Sequence, residues 1–262
     1  LDQNQIEITQ YYPRPGYVEH DAQEIWDKTF STVSSLLEKN GLETSQIISI
    51  GITNQRETIV GWDQKTGKPI GRAIVWQDKR TTDYCKTLQN QGVEKEVIEK
   101  TGLLLDPYFS ASKLRWLNDN FKEEIVNKNI LFGTIDTFLL WKLTKGDIYA
   151  TDVSNAARTS LLNISTLDWD QDLIKLFELE KINLPEIKKN ADDFGSTTLF
   201  GGDIKISGMA GDQQAALFGQ TCFEAGDIKS TYGTGCFLIL NTGNQILRSQ
   251  NKLLTTIGYK ID

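Results

Sequence analysis

The chain has 262 residues, a formal net charge of −7 and 24% charged side chains without acidic tails or basic clusters, so it offers no electrostatic footprint for nucleic acid or anionic membranes. Its length allows one large domain or two unequal ones. No stretch reaches the ~18 apolar residues of a membrane span and no secretory signal is visible, so a cytoplasmic, small-molecule protein is expected. Cys85, Cys222 and Cys236 are odd in number and lack C-x-x-C spacing, which predicts free thiols rather than a disulfide framework or a zinc site. His20, the single histidine, sits beside a predicted helix start and is expected to be structural.

Asp21-Ala-Gln-Glu24 has the form of a capping box, and Ile25, Trp26, Phe30, Val33, Leu36 and Leu37 follow at helical spacing until Asn40-Gly41 stops them. Ile47–Ile52 then predicts a buried strand, Thr58–Trp62 a second, Asp63–Lys68 a turn and Ala73–Trp76 a third strand. Helices are predicted over 82–88, 112–126 and 137–143, with a short strand at Asn129–Phe132 and Gly146 capping the last of the three helices. Leu167-Asp-Trp169 predicts the opening of a short amphipathic helix carrying Leu173, Ile174 and Leu176. Ile204–Ser207 reads as a strand running toward a helix at Gln213–Phe218. Asp227–Tyr232 and Cys236–Asn241 read as a hairpin joined by Gly233-Thr-Gly235. The layout is α/β.

Three motifs carry candidate chemistry. Gly61–Pro69 looks like a phosphate loop but has Pro69 where a hydroxyl residue should follow the lysine, and strand-like sequence follows, so a hairpin turn is expected. In Asn54-Gln-Arg-Glu-Thr58, Arg56 can only donate hydrogen bonds and an ionised Glu57 can only accept them. Together they could bracket a vicinal diol, but neighbours on a regular strand face opposite ways, so both reach one ligand only if the chain bends. An exposed charged turn is the plainer reading. Asp212 stands where a strand hands over to a helix; it could be an N-cap or could orient a substrate hydroxyl.

Taken in order, Pro15–Asp21, Gly51–Thr58, Ala73–Gln77, Asp106–Ser110, Gly208–Gln214 and Thr231–Phe237, with the run Tyr108–Asn120, resemble the FGGY carbohydrate kinases, and within them the branch that phosphorylates glycerol. The resemblance implies an α/β, ribonuclease-H-like lobe of the actin/hexokinase type, with a mixed β-sheet flanked by helices, plus the start of a second lobe. Residues 1–219 would form the polyol-binding lobe without its first hairpin and 220–262 the beginning of the nucleotide-binding lobe. It implies ATP and Mg²⁺ as cofactors, glycerol as substrate with sn-glycerol 3-phosphate as product, and a homo-oligomeric parent. By the same resemblance Arg56, Glu57, Trp76, Tyr108, Asp212 and Gln213 bind the polyol. Asp212 would also be the catalytic base and a metal contact, and Gly233, Thr234 and Gly235 the second phosphate loop. Ketose-phosphorylating relatives carry a Gln-Met-His-Gly type sequence where this chain has Asn54-Gln-Arg-Glu57, which favours glycerol.

Two departures accompany it. No Gly-Thr-Thr type hairpin precedes Leu1 and the adenosine-binding part would lie beyond Asp262, so the sequence is expected to be cut at both ends. The Gly201-Gly-Asp-Ile-Lys205 loop has Asp203 where some members place an anion-binding arginine, which argues against sugar-phosphate regulation there. Another FGGY polyol or sugar kinase, and a non-catalytic polyol-binding fragment, are the alternatives.

Overall fold

A computed structural model describes residues 2–233 and 235–261. Two short strands, β1 (Gln10–Tyr11) and β2 (Glu19–His20), pair antiparallel at the start. Asp21 then caps α1 (Ala22–Asn40) by accepting from the Gln23 and Glu24 N–H groups, and Gly41 ends the helix at φ 58°. Glu24 does not complete a capping box; its carboxylate is taken by Thr9 and Lys28.

The strand expected at Ile47 begins later. Ile47 closes a 3-10 turn with its N–H on Thr44, and Ile48 is 91% exposed, so β3 spans Ile50–Asn54. It is followed by β4 (Ile59–Asp63). Asp63 then organises the predicted turn, its carboxylate accepting from the N–H groups of Lys65 and Thr66, so Gly61–Pro69 is a hairpin turn as expected. After β5 (Ala73–Ile74) come α2 (Thr82–Asn90) and a helix the periodicity did not disclose, α3 (Glu94–Thr101). The single helix predicted over 112–126 is two, α4 (Ser110–Asn120) and α5 (Lys122–Asn127), because Phe121 at φ −122°, ψ 34° leaves the helical region between them.

The chain continues through β6 (Ile130–Thr134) and α6 (Ile135–Leu143), and the Gly146 N–H closes back onto the Trp141 carbonyl at 2.8 Å. There follow β7 (Ala150–Asp152), α7 (Val153–Ala156), β8 (Leu162–Asn163), β9 (Asp168–Trp169) and α8 (Gln171–Leu176). Leu167–Trp169 do not open that helix: Leu167 turns left-handed at φ 59°, and Asp170 supplies the cap. The last elements are β10 (Glu186–Lys188), β11 (Ser196–Thr197), β12 (Ile204–Gly211), α9 (Asp212–Gly219), β13 (Ile228–Tyr232) and β14 (Cys236–Leu240).

The antiparallel sheet has the order β1-β2-β5-β4-β6; β3 belongs to a separate sheet, pairing parallel with β12, which also pairs antiparallel with β11. β4 is buried on both faces. Val60 and Trp62 enter a core with Phe138, Leu140 and Trp141, while Ile59 enters another with Ile74, Leu114 and Phe132. Removing each such Phe or Ile from water is worth roughly 1.5–3 kcal/mol, which anchors β4 and α6 as a rigid base. The β3–β12 pairing brings the functional segments together: Gly211 is registered with Asn54, so Asp212 and the Gln55–Thr58 turn leave the same ends of two adjacent strands. Among the described residues no helix is long and apolar enough to cross a membrane.

Candidate active site

The turn after β3 bends as a shared ligand would require. Glu57 is left-handed at φ 62°, and the Thr58 N–H reaches back to the Arg56 carbonyl at 2.7 Å, closing a three-residue turn. The exposed-turn reading fails on burial: Arg56 is 5% and Glu57 1% exposed. Arg158 Nε donates to Glu57 Oε1 at 2.7 Å, so the buried carboxylate is neutralised by a residue 101 positions away. Arg56 Nη1 donates to Gln214 Oε1 at 3.1 Å. Its Nε lies 3.2 Å from Asp212 Oδ1 and 3.8 Å from Glu57 Oε1, close enough for ion pairs yet misaligned for a hydrogen bond, so a buried donor is left unspent. Gly211 makes this approach possible, since a Cβ there would lie 2.6 Å from Cγ and Cδ of Arg56.

Asp212 is not the N-cap. Gly211 occupies that position, and Asp212 is the first residue of α9. Its side chain, 45% exposed, accepts from its neighbour Gln213 N–H at 2.8 Å through Oδ1, while Oδ2 meets Gln213 Nε2 only at 3.4 Å. One carboxylate oxygen is therefore nearly unengaged. Among the described residues no three His, Cys, Asp or Glu side chains gather into a metal-holding group. Mg²⁺ bound with a nucleotide usually takes one or two carboxylates plus phosphates and water, and Oδ2 of Asp212 fits that single-carboxylate role.

Trp76 and Tyr108 meet edge to face, ring centroids 5.6 Å apart, and Tyr108 lies near the Glu57 charge. Tyr108 is held from beneath by Lys113, fully buried, whose ammonium donates to the carbonyls of Tyr108 (2.7 Å), Phe109 (3.2 Å) and Pro107. Burial lowers Lys113 to about 8. The Arg158 guanidinium lies 5.7 Å from the Tyr108 ring centre and 5.0 Å from that of Phe109, so one cation orders both Glu57 and the aromatic wall. Burial, with the Glu57 charge nearby, raises the Tyr108 phenol.

A second layer ties the two strand ends together. Asn54 Nδ2 donates to Asp136 Oδ1 at 3.1 Å, and Asn54 Oδ1 accepts from Asn155 Nδ2 at 3.0 Å. Asp152 accepts from Asn155 and Asn190 amides at 2.6 and 2.8 Å and from the Ser154 hydroxyl, whose oxygen accepts the Gly211 N–H at 3.1 Å. Burial raises both acids, and the Asp136 charge helps push Asp152 up to about 7.

Gly233 and Gly235 lie in the turn between β13 and β14, where Tyr232 pairs with Cys236; Thr234 lies outside the described residues. The hairpin reaches the site through Phe237, whose ring centre is 5.7 Å from the Arg56 guanidinium, and Lys229, whose Nζ donates to Gln213 Oε1 at 2.5 Å. Thus Arg56, Glu57, Asp212 and Gln213 converge, Tyr108 joins them through Arg158, and Trp76 is connected through its contact with Tyr108. Arg158, Gln214, Phe237 and Lys229 were not singled out by the sequence. His20 takes a structural place, its Nδ1 against the Gln55 amide at 2.8 Å. All three cysteines are free thiols, Cys236 exposed and the others buried.

A family profile described as the FGGY family of carbohydrate kinases, N-terminal domain, matches residues 1–219. The chain belongs to the FGGY family of carbohydrate kinases. It is 54% identical to a glycerol kinase of Rhizobium meliloti (strain 1021) over 98% of this chain and 53% of that protein. It is 50% identical to a glycerol kinase of Marinomonas sp. (strain MWYL1) over 100% of this chain and 54% of that protein. The crystal structure of Plasmodium falciparum glycerol kinase with ADP superposes with a TM-score of 0.92 at 40% identity, covering 98% of this chain and 53% of that one. A gluconate kinase from Lactobacillus acidophilus, at 23% identity over 88% of this chain and 47% of that one, shares the FGGY fold with a TM-score of 0.78. The chain spans about half the length of the curated relatives it matches. The α/β, ribonuclease-H-like architecture that the resemblance implied is that of these FGGY kinases.

Proposed function

We propose that the protein containing this chain is an ATP:glycerol 3-phosphotransferase that forms sn-glycerol 3-phosphate, with residues 1–219 as its polyol-binding lobe and 220–262 opening its nucleotide-binding lobe. The observation that carries this reading is the unspent Nε donor of Arg56, 3.2 Å from Asp212 and 3.8 Å from Glu57. A polyol with adjacent hydroxyls answers it: one oxygen accepts from Arg56 while its proton goes to Glu57, and Trp76 and Tyr108 cover the carbons. Asp212 takes the proton from the terminal hydroxyl as that oxygen bonds to the γ-phosphorus and the bond to the bridging oxygen of ADP breaks. Phosphoryl transfer needs the proton late, so placement of Asp212 matters more than its basicity. Bound with ATP, Mg²⁺ would neutralise phosphate charge, and Asp212 Oδ2 is the oxygen available to it. The Gly233–Gly235 turn would bring backbone N–H groups to the phosphates, and a cytoplasmic location accords with the use of ATP.

The test is glycerol-dependent ADP formation by the whole protein, with xylulose and gluconate as competitors. Asp212→Asn is expected to lower kcat about 10²–10⁴-fold with little change in glycerol KM. Normal turnover in that variant would sink the assignment.

A further inference from the structure

Lys229 is a buried cation whose partner is an amide rather than a carboxylate. It sits in β13 opposite Ile239, is 1% exposed, and directs its ammonium at Gln213 Oε1 at 2.5 Å. Burial disfavours its charge, as does Arg56, while Asp212 favours the ammonium and Cys222 does so to a smaller extent. An ammonium can only donate, so the oxygen end of the Gln213 amide is the one that can face it. The other end, Nε2, must then point away, and it lies 3.4 Å from Asp212 Oδ2. Gln213 is itself 7% exposed, which leaves its amide few other partners.

We infer that Lys229 is a positioning residue that fixes the hydrogen-bond polarity of Gln213, so that the amide presents donors, and no acceptor, to the group held by Asp212. The inference rests on the phosphotransferase reading. It also adds a selectivity rule. The reacting group must accept from Gln213 while donating to Asp212, which a hydroxyl does and a protonated amine cannot, having no lone pair. Because Lys229 belongs to the strand leading into the Gly233–Gly235 turn, this polarity is set only when that hairpin is seated against α9. Docking of the phosphate-side hairpin and preparation of the polyol side become one event.

The experiment is a double-mutant cycle in the whole protein with Lys229→Met and Gln213→Leu, read by thermal unfolding and by glycerol kinetics, with Lys229→Arg as the conservative variant. Lys229→Met should raise glycerol KM and lower kcat/KM about tenfold, the size of one lost charge-assisted hydrogen bond. In the Gln213→Leu background it should add little to either readout. Lys229→Arg keeps a donor and should restore most of the loss. Inhibition of glycerol turnover by protonated 3-amino-1,2-propanediol should strengthen in Lys229→Met, because the freed amide can turn its oxygen inward. Additive effects of the two substitutions on both readouts, or unchanged amine inhibition, would overturn the inference. If the wild type fails to phosphorylate glycerol, the functional reading falls, and the unfolding cycle alone decides: additive shifts in Tm then overturn the Lys229–Gln213 coupling as well.

Discussion

Arg56 Nε stands 3.2 Å from Asp212 Oδ1 while Arg56 Nη1 is spent on Gln214, so one guanidinium joins the turn after β3 to the start of α9. Arg56→Ala should raise glycerol KM about 10–100-fold through loss of a charge-assisted bond, measured by steady-state kinetics of the whole protein. An unchanged KM would remove Arg56 from the substrate site.

The guanidinium reaches Asp212 because residue 211 has no side chain. A methyl group on Gly211 would press within 2.6 Å of two Arg56 carbons, and the neighbouring amide of Gln214 is only 3.1 Å away. Gly211→Ala should therefore cost about 1–3 kcal/mol of stability and raise glycerol KM, since Arg56 must leave its place. Denaturant unfolding and a glycerol titration check the two parts separately.

Glu57 depends on Arg158. With that guanidinium removed, a carboxylate 1% exposed would be left, among the described residues, with Arg56 Nε at 3.8 Å and the more distant charge of Lys113. Arg158→Met is expected to destabilise by about 3–5 kcal/mol, the range for breaking a buried pair. Adding Glu57→Gln should recover part of that loss, and if it does not, the pairing is not the source of the destabilisation.

Lys113 predicts an unusual pH dependence of stability. Its folded value, lowered by burial to about 8, lies below the ordinary 10.5, so the buried ammonium opposes folding fully below pH 8. Between about pH 8 and 10.5 the folded protein releases this proton before the unfolded chain does, and that opposition is relieved. Relative to Lys113→Met, the native chain should gain up to about 1.4 kcal/mol per pH unit across that window. Urea unfolding of both proteins at pH 7.5 and 9.5 measures it; a difference independent of pH would refute the assignment.

What the sequence disclosed was local. The Asp21 cap, the Gly41 stop, the Asp63 turn and the β13–β14 hairpin each depend on residues a few positions apart, and all formed. Apolar spacing runs straight through the break at Phe121 and so does not show it, and periodicity does not show α3 although Gly102, left-handed at φ 73°, marks its end. Asp212 looked like a cap because its type and position suited one; Gly211 took that place and freed the carboxylate. Arg158 and Lys229 could not be read at all, since nothing near either in sequence announces Glu57 or Gln213 as partner. The Asn54–Thr58 segment is legible as a conditional: Arg56 and Glu57 can reach one ligand only if the chain bends, and φ 62° at Glu57 supplies a bend.

That left-handed residue puts folding and recognition in competition for one position. A non-glycine residue there gives up about 1–2 kcal/mol, which glycine would return. Yet glycine would also strip Arg158 of its carboxylate, at roughly 3–5 kcal/mol. The second quantity is larger, so a search for more stable variants should find glutamate retained at 57 even when catalysis is not selected, and the strained turn persists as a by-product of the ion pair beneath it.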